Sequence, residues 1–189
     1  MCKHPRYIWM VIGPAGCGKS TIAQFLSRKL NLPYIEGDDF HPLQNIVKMA
    51  NGVPLTDEDR WGWLDTLRNE AVAKLTVGNA DGCIVTCSCL KRRYRDVIRV
   101  AGAGSEVVVV RFVYLRADEE LVLGRVSARE GHYMKAGMVH SQFVALEEPE
   151  DDEVDVITVD VSGTRSEGQW SALCKVLQYV DTEEGARFE

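Results

Sequence analysis

No stretch of this sequence approaches the roughly 20 consecutive apolar residues that a bilayer-spanning helix requires. Positive charge is also short. Against 28 Asp and Glu stand 22 Lys and Arg, a net charge of -6, which argues against a basic face of the kind that displaces counterions from a nucleic acid or meets an anionic membrane. The 6 cysteines show no zinc-site spacing: Cys87 and Cys89 straddle one residue in a strand-like run, and Cys17 sits in a glycine loop. Reduced thiols in a cytoplasmic protein are the simpler expectation. The apolar stretch of "MCKHPRYIWMVIG" is too short for a cleaved signal peptide and runs straight into that loop. No repeat, low-complexity tract or linker divides the chain. Its 189 residues, 46% of them hydrophobic, can bury one core and predict a single domain, 1–189.

What is present is an alternation. Strand-like runs occur at "YIWMVIG", "LPYIEG", "GCIVTCS", "EVVVVRFVYL" and "VDVITVD", separated by segments with helical spacing. That order predicts an α/β fold with a parallel sheet covered on both faces. Val107 to Val110 lack period-two alternation, as a strand buried on both sides should. In "GKSTIAQFLSRKL", Ile22, Phe25, Leu26 and Leu30 share a helical face. A further helix follows "HP". "TDEDRWGWLDTLRNEAVAKL" opens with Thr56 and Asp59 at capping-box spacing, and Trp63, Leu64, Leu67, Ala71 and Leu75 form one apolar stripe. "LKRRYRDVIRVAG", "DEELVLGRVSARE" (capped by Asp118) and "SEGQWSALCKVLQYV" read as helices. "GHYMKAGMVHSQF", rich in glycine and methionine, suits a mobile segment, and the acidic run "EEPEDDEVD" suits a solvated loop.

Gly13 to Ser20, "GPAGCGKS", satisfies G-x-x-x-x-G-K-[ST] between a buried strand and a helix. There the glycines let successive backbone N–H groups face phosphate oxygens at the positive end of the helix. Lys19 would reach the β and γ phosphates, and Ser20 would ligate magnesium. A ligand-free glycine turn is the alternative, but it gives the Lys-Ser pair no packing reason. Cys17 is either a redox sensor activated by the helix end or a small loop filler. A GTPase would need N-K-x-D, which is absent. A motor ATPase would need a third strand ending in Asp, whereas this one ends "IVTCSCLK". A small-molecule kinase remains, and it requires a second substrate site.

Strand ends in a doubly wound sheet carry ligands. Asp38 and Asp39, in "GDDFHPLQN", follow the second strand and should face the phosphate loop. Asp38 is placed to accept the proton of an attacking hydroxyl or hold a water on magnesium, while either aspartate could instead cap the next helix. His41 has no second ligand at metal spacing, which leaves hydrogen bonding to a polyhydroxylated substrate or helix-start packing. Lys48, Arg60, Lys91, Arg92, Arg93 and Arg95 enrich cations locally and suggest an anionic substrate, some of them, Arg92 and Arg93 first, being merely solvated. Arg125 and Arg129, four apart, could both face the phosphates under a closing lid or form a solvated pair. Trp63 continues the apolar stripe of its helix; Trp61 falls outside it.

With these residues assembled, the chain resembles the gluconokinases of the small P-loop sugar-acid kinase family, related to shikimate and adenylate kinases. The resemblance runs from about Tyr7 to Val159 through "GPAGCGKSTIA", "EGDDFHPLQNIVKMANGVPLTDEDRWGWL", "CSCLKRRYRD", "REGHYM" and "SQFVALEEP". The second block carries most of the specificity. The resemblance implies a three-layer sandwich with a five-stranded parallel sheet, helices on both faces and a mobile lid around 125–142. It implies ATP on Gly13, Gly16, Cys17, Gly18, Lys19, Ser20, Thr21 and Arg125, magnesium on Ser20, and Lys19, Asp38 and Arg129 in catalysis. D-gluconate would meet Asp38, His41, Lys48, Arg60, Lys91, Arg95, His132 and Gln142. The implied reaction gives 6-phospho-D-gluconate and ADP, in a homodimer. Other small acids, or ATP binding without transfer, are the rival readings. The adenine pocket is expected near the last strand, around "DVSGT". Two departures stand out: Cys89 in "CSCLK" where the family usually has alanine, and a phosphate loop with one hydroxyl fewer than the common pattern.

Overall fold

The computed structural model describes residues 4–128 and 136–185. Its sheet runs β2-β3-β1-β4-β5, from β1 (Arg6–Ile12), β2 (Tyr34–Ile35), β3 (Gly82–Cys87), β4 (Val108–Arg116) and β5 (Val156–Asp160). Every pairing is parallel. Because β1 lies at the centre, both its faces are covered, and side chains alternate between two cores. Tyr7, Trp9 and Val11 pack with α1 (Lys19–Leu30) and α7 (Arg165–Gly185). Ile8, Met10 and Ile12 pack with α3 (Glu58–Thr76) and α4 (Arg92–Arg99). The fully buried part of β4 begins later than its valine run implies: Val108 and Val109 are half-buried, and Phe112 to Leu115 form the closed stretch.

The capping box forms as spaced, with the Thr56 N–H donating to Asp59 Oδ2 at 2.9 Å and the Asp59 N–H to Thr56 Oγ1 at 3.4 Å. All five residues of the α3 stripe are buried. Asp118 stands at the start of α5 (Glu119–Ser127), but its side chain makes no capping bond. The segment expected to be mobile contains α6 (Ala136–Ala145), in which Met138 and Val139 are buried. Residues 131–135 of that segment, with His132, lie outside the described residues, as does Arg129 just before it.

The acidic run departs from a plain solvated loop. Glu153 is buried and accepts from Arg95 Nε at 2.7 Å and from Arg99 Nη2 at 2.6 Å, while Asp155 takes Arg99 Nε at 2.7 Å. Burial would raise the Glu153 carboxyl, yet the two arginines hold it down at about 2. Arg95 is 1% exposed, with further bonds to the Cys89 and Glu147 carbonyls at 3.3 and 3.1 Å. Breaking a buried pair leaves an uncompensated charge. Arg95→Ala should therefore cost roughly 3–5 kcal/mol in denaturant unfolding, and in the folded fraction leave the acceptor KM within a few-fold.

Candidate active site

The loop leaving β1 curls through Gly13, Gly16 and Gly18, all at positive φ. Gly16 needs both this freedom and its small size: at φ +90°, an added Cβ would stand 2.6 Å from Val126 Cγ2. Lys19 Nζ donates to the Pro14 carbonyl at 3.0 Å, and the Ala15 N–H to Gln142 Oε1 at 2.7 Å. Two of the loop's donors are thus engaged by the protein itself, and α6 is latched onto it from 127 residues away. Just beyond α6, the Glu147 N–H reaches the Leu90 carbonyl at 2.8 Å. The described part of the lid segment is therefore a seated wall. Cys17 is buried, and burial pushes its thiol up despite Lys19 beside it, which favours the loop filler over the redox sensor.

Beside the loop, the carboxyl ends of β2 and β3 come together. A Cβ on Gly37 would lie 2.0 Å from the Thr86 carbonyl oxygen, so only glycine lets the chain turn here into the short 3-10 stretch Gly37–Phe40. Asp38 then projects into a cavity of about 320 Å³ shared with Lys19, His41, Arg60, Lys91 and Gln142. Its side chain is 67% exposed to that cleft. The surrounding walls nonetheless raise its carboxyl above the ordinary 3.8, against the pull of Lys19.

His41 stacks on Trp63 with centroids 4.0 Å apart. Asn45 Nδ2 donates to its Nδ1 at 3.4 Å, which places the imidazole proton on Nε2, 3.9 Å from Asp38 Oδ1. Burial, with Arg60 nearby, lowers its pKa to about 4, so at neutral pH it is a neutral hydrogen-bonding group. Between pH 6.5 and about 4 the folded protein binds fewer protons here than the unfolded chain. Stability should be complete above 6.5 and fall across that window by about 3 kcal/mol. His41→Phe, which keeps the stacking, should flatten urea-measured stability between pH 6.5 and 4.5, above the range where Glu153 titrates.

A second cavity of about 330 Å³ opens on the other side of the loop, lined by Gly18, Thr21, Arg125, Val161 and Thr164. It lies where the adenine pocket was expected from "DVSGT". Arg125 Nη2 donates to the Val161 carbonyl at 2.6 Å, which fixes this arginine on the wall of that second cavity.

The AAA domain family model matches residues 10–154. A probable gluconokinase of Schizosaccharomyces pombe is 45% identical over 176 residues, 93% of this chain and 91% of that protein. The chain belongs to the gluconokinase family. The thermoresistant gluconokinase of Escherichia coli is 37% identical over 84% of this chain and 87% of its own. A crystal structure of a gluconokinase from Sinorhizobium meliloti superposes with a TM-score of 0.84 at 33% identity, covering 97% of this chain and 98% of that one.

For a gluconokinase-family site, the geometry sorts the expected acceptor residues. Asp38, His41, Arg60, Lys91 and Gln142 line one cavity. Lys48 and Arg95 do not. Lys48 pairs with Asp59 at 2.5 Å, and Arg95 is sealed against Glu153; each cation is satisfied by a carboxylate of the scaffold. Two functional groups went unread in the sequence. Glu36, taken only as a strand end, accepts from Ser20 Oγ at 2.7 Å and from the Tyr34 and Thr86 hydroxyls. Burial would raise its carboxyl, but these bonds together keep it low, while Tyr34 is pushed up to about 12. A charged side chain closing the apolar run "LPYI" was the available signal. The other is Asp57, which carries Lys91 at 3.0 Å.

Magnesium favours hard oxygens and retains waters and phosphate oxygens. The adjacent Ser20 hydroxyl and ionised Glu36 carboxylate fit that requirement.

Proposed function

We infer that this gluconokinase-family protein transfers the γ-phosphoryl group of ATP to the terminal hydroxyl of D-gluconate, giving 6-phospho-D-gluconate and ADP. The observation that carries the reading is Lys19 of the phosphate loop and Asp38 of the β2 end facing one cavity that also holds Arg60. In the transfer, the bond between the γ-phosphorus and the bridging oxygen breaks, and a bond to the acceptor's primary oxygen forms. Asp38 orients that hydroxyl and takes its proton, a task for an ionised carboxylate within hydrogen-bond reach. Lys19 exchanges the Pro14 carbonyl for phosphate oxygens, and Ala15 releases Gln142 to do the same. Arg60, beside neutral His41, receives the gluconate carboxylate. Ser20 would ligate magnesium, with Glu36 holding that hydroxyl and the ion's waters; the ion, when bound, neutralises charge on the transferring phosphates. Thr21 and Arg125 would border the nucleotide, and Arg129 and His132 would act from the lid.

The same reading takes the enzyme to be a cytoplasmic homodimer. The exposed apolar row of Leu43, Ile46 and Val47 on α2 (Leu43–Ala50) supports an association. Purified protein with magnesium-ATP, offered gluconate, other aldonates, aldoses and shikimate, should release ADP with gluconate foremost. Release with shikimate alone, or with none of them, would refute the assignment.

A further inference from the structure

The acceptor cavity is lined by three carboxylates, Asp38, Asp57 and Glu58, and three cations, Lys19, Arg60 and Lys91. They are not equally available. Lys19 and Asp38 serve the transferring phosphoryl group. At the far end, Asp57 stands at the start of α3, and its carboxylate accepts from Lys91 Nζ at 3.0 Å, from the Tyr94 hydroxyl and from Arg93 Nη2. The Tyr94 bond first, then Lys91, holds that carboxyl below its ordinary range, so it stays charged at any working pH. Arg60 lies one helical turn on, over the same Tyr94 ring at 5.6 Å. Its polar contact is a long one, 3.4 Å from Nη1 to Ser88 Oγ, and no ion pair of Arg60 occurs among the described residues.

Of the two cations lining the head-group end, Lys91 is offset by Asp57, whose other oxygen takes the half-exposed Arg93 from outside the lining, and Arg60 is left for the substrate. A monoanion balances Arg60. A phosphate ester, which carries about -1.5 to -2 at pH 7, would put its excess charge beside the Asp57 carboxylate, and like charges within a few ångströms oppose one another strongly in a partly dry cleft.

Resting on the aldonate-kinase reading above, we propose that Asp57 is the specificity-determining residue of the acceptor cavity: by occupying Lys91 and Arg93 it restricts the acceptor's head group to a monoanionic carboxylate and rejects phosphate esters of similar polyols.

The probe pair is D-gluconate and D-sorbitol 6-phosphate, the second a six-carbon polyol with a dianionic head and a free primary hydroxyl. Asp57→Asn keeps the shape and removes the charge; Asp57→Glu keeps the charge. The quantity read is kcat/KM for sorbitol 6-phosphate divided by that for gluconate. It should be small in the wild type, rise at least tenfold in Asp57→Asn, and stay within a few-fold of wild type in Asp57→Glu. A ratio unmoved in Asp57→Asn while both acceptors weaken together makes Asp57 a structural peg between α3 and α4. A lowered gluconate KM at constant ratio means that gluconate itself displaces Asp57 from Lys91. Either result overturns the proposal while leaving the gluconate reading intact. A wild type that does not phosphorylate gluconate at all overturns both.

Discussion

Lys19→Met is expected to lower kcat/KM for ATP by about a thousandfold, with gluconate affinity and thermal stability close to wild type. Phosphoryl transfer leaves little covalent work to the protein, so positioning and charge supply most of the acceleration. Removing one preorganised donor from such a site typically costs about 100- to 1,000-fold, and Lys19 brings a full positive charge besides. Its bond within the protein is to the Pro14 carbonyl of its own loop, so methionine disturbs little of the fold. Single-turnover rates with saturating ATP, compared with binding of a non-hydrolysable analogue, would separate lost transition-state stabilisation from lost nucleotide affinity. A variant within tenfold of wild type would remove Lys19 from the mechanism.

Asp38→Asn should lower kcat by about a hundredfold or more, the scale of a lost general base. The amide keeps the shape and the neighbours but cannot take a proton. The pH dependence gives the sign. Asp38 works ionised, and its carboxyl is raised above 3.8, so kcat/KM for gluconate should fall as pH drops through that raised value. Asp38→Asn should lose this acid limb along with the rate. A full-rate variant, or one that keeps the limb, would transfer the role to another group.

The phosphate loop and the Asp38 site were readable because they depend on local order: a buried apolar run, a glycine spacing, a carboxylate pair after a strand. The central strands β1 and β3 were readable for the same reason, since burial on both faces writes a continuous apolar run; the edge strands β2 and β5 are less buried and carry shorter ones. The cations were different. Arg60, Lys48, Lys91 and Arg95 look alike along the chain, and their fates depend on carboxylates that local periodicity does not report. Lys48 is taken by Asp59, Lys91 by Asp57 and Arg95 by Glu153. The last partner sits 58 residues away inside a run that reads as solvated loop. Glu36 was hidden by its position at a strand end, where only the approach of Ser20 and Thr86 gives it a task. Likewise α6 has apolar residues on more than one side, because it packs against α5 and also walls the cavity. A helix covered in that way carries no simple stripe.

The most direct test of the central claim is where the phosphorus goes. With magnesium-ATP and D-gluconate, phosphorus NMR of the product should show one phosphate ester coupled to the two protons of the terminal carbon, formed in equal amount with ADP. Inorganic phosphate in place of an ester, or an ester on a secondary carbon, would contradict an Asp38-oriented transfer to the terminal hydroxyl.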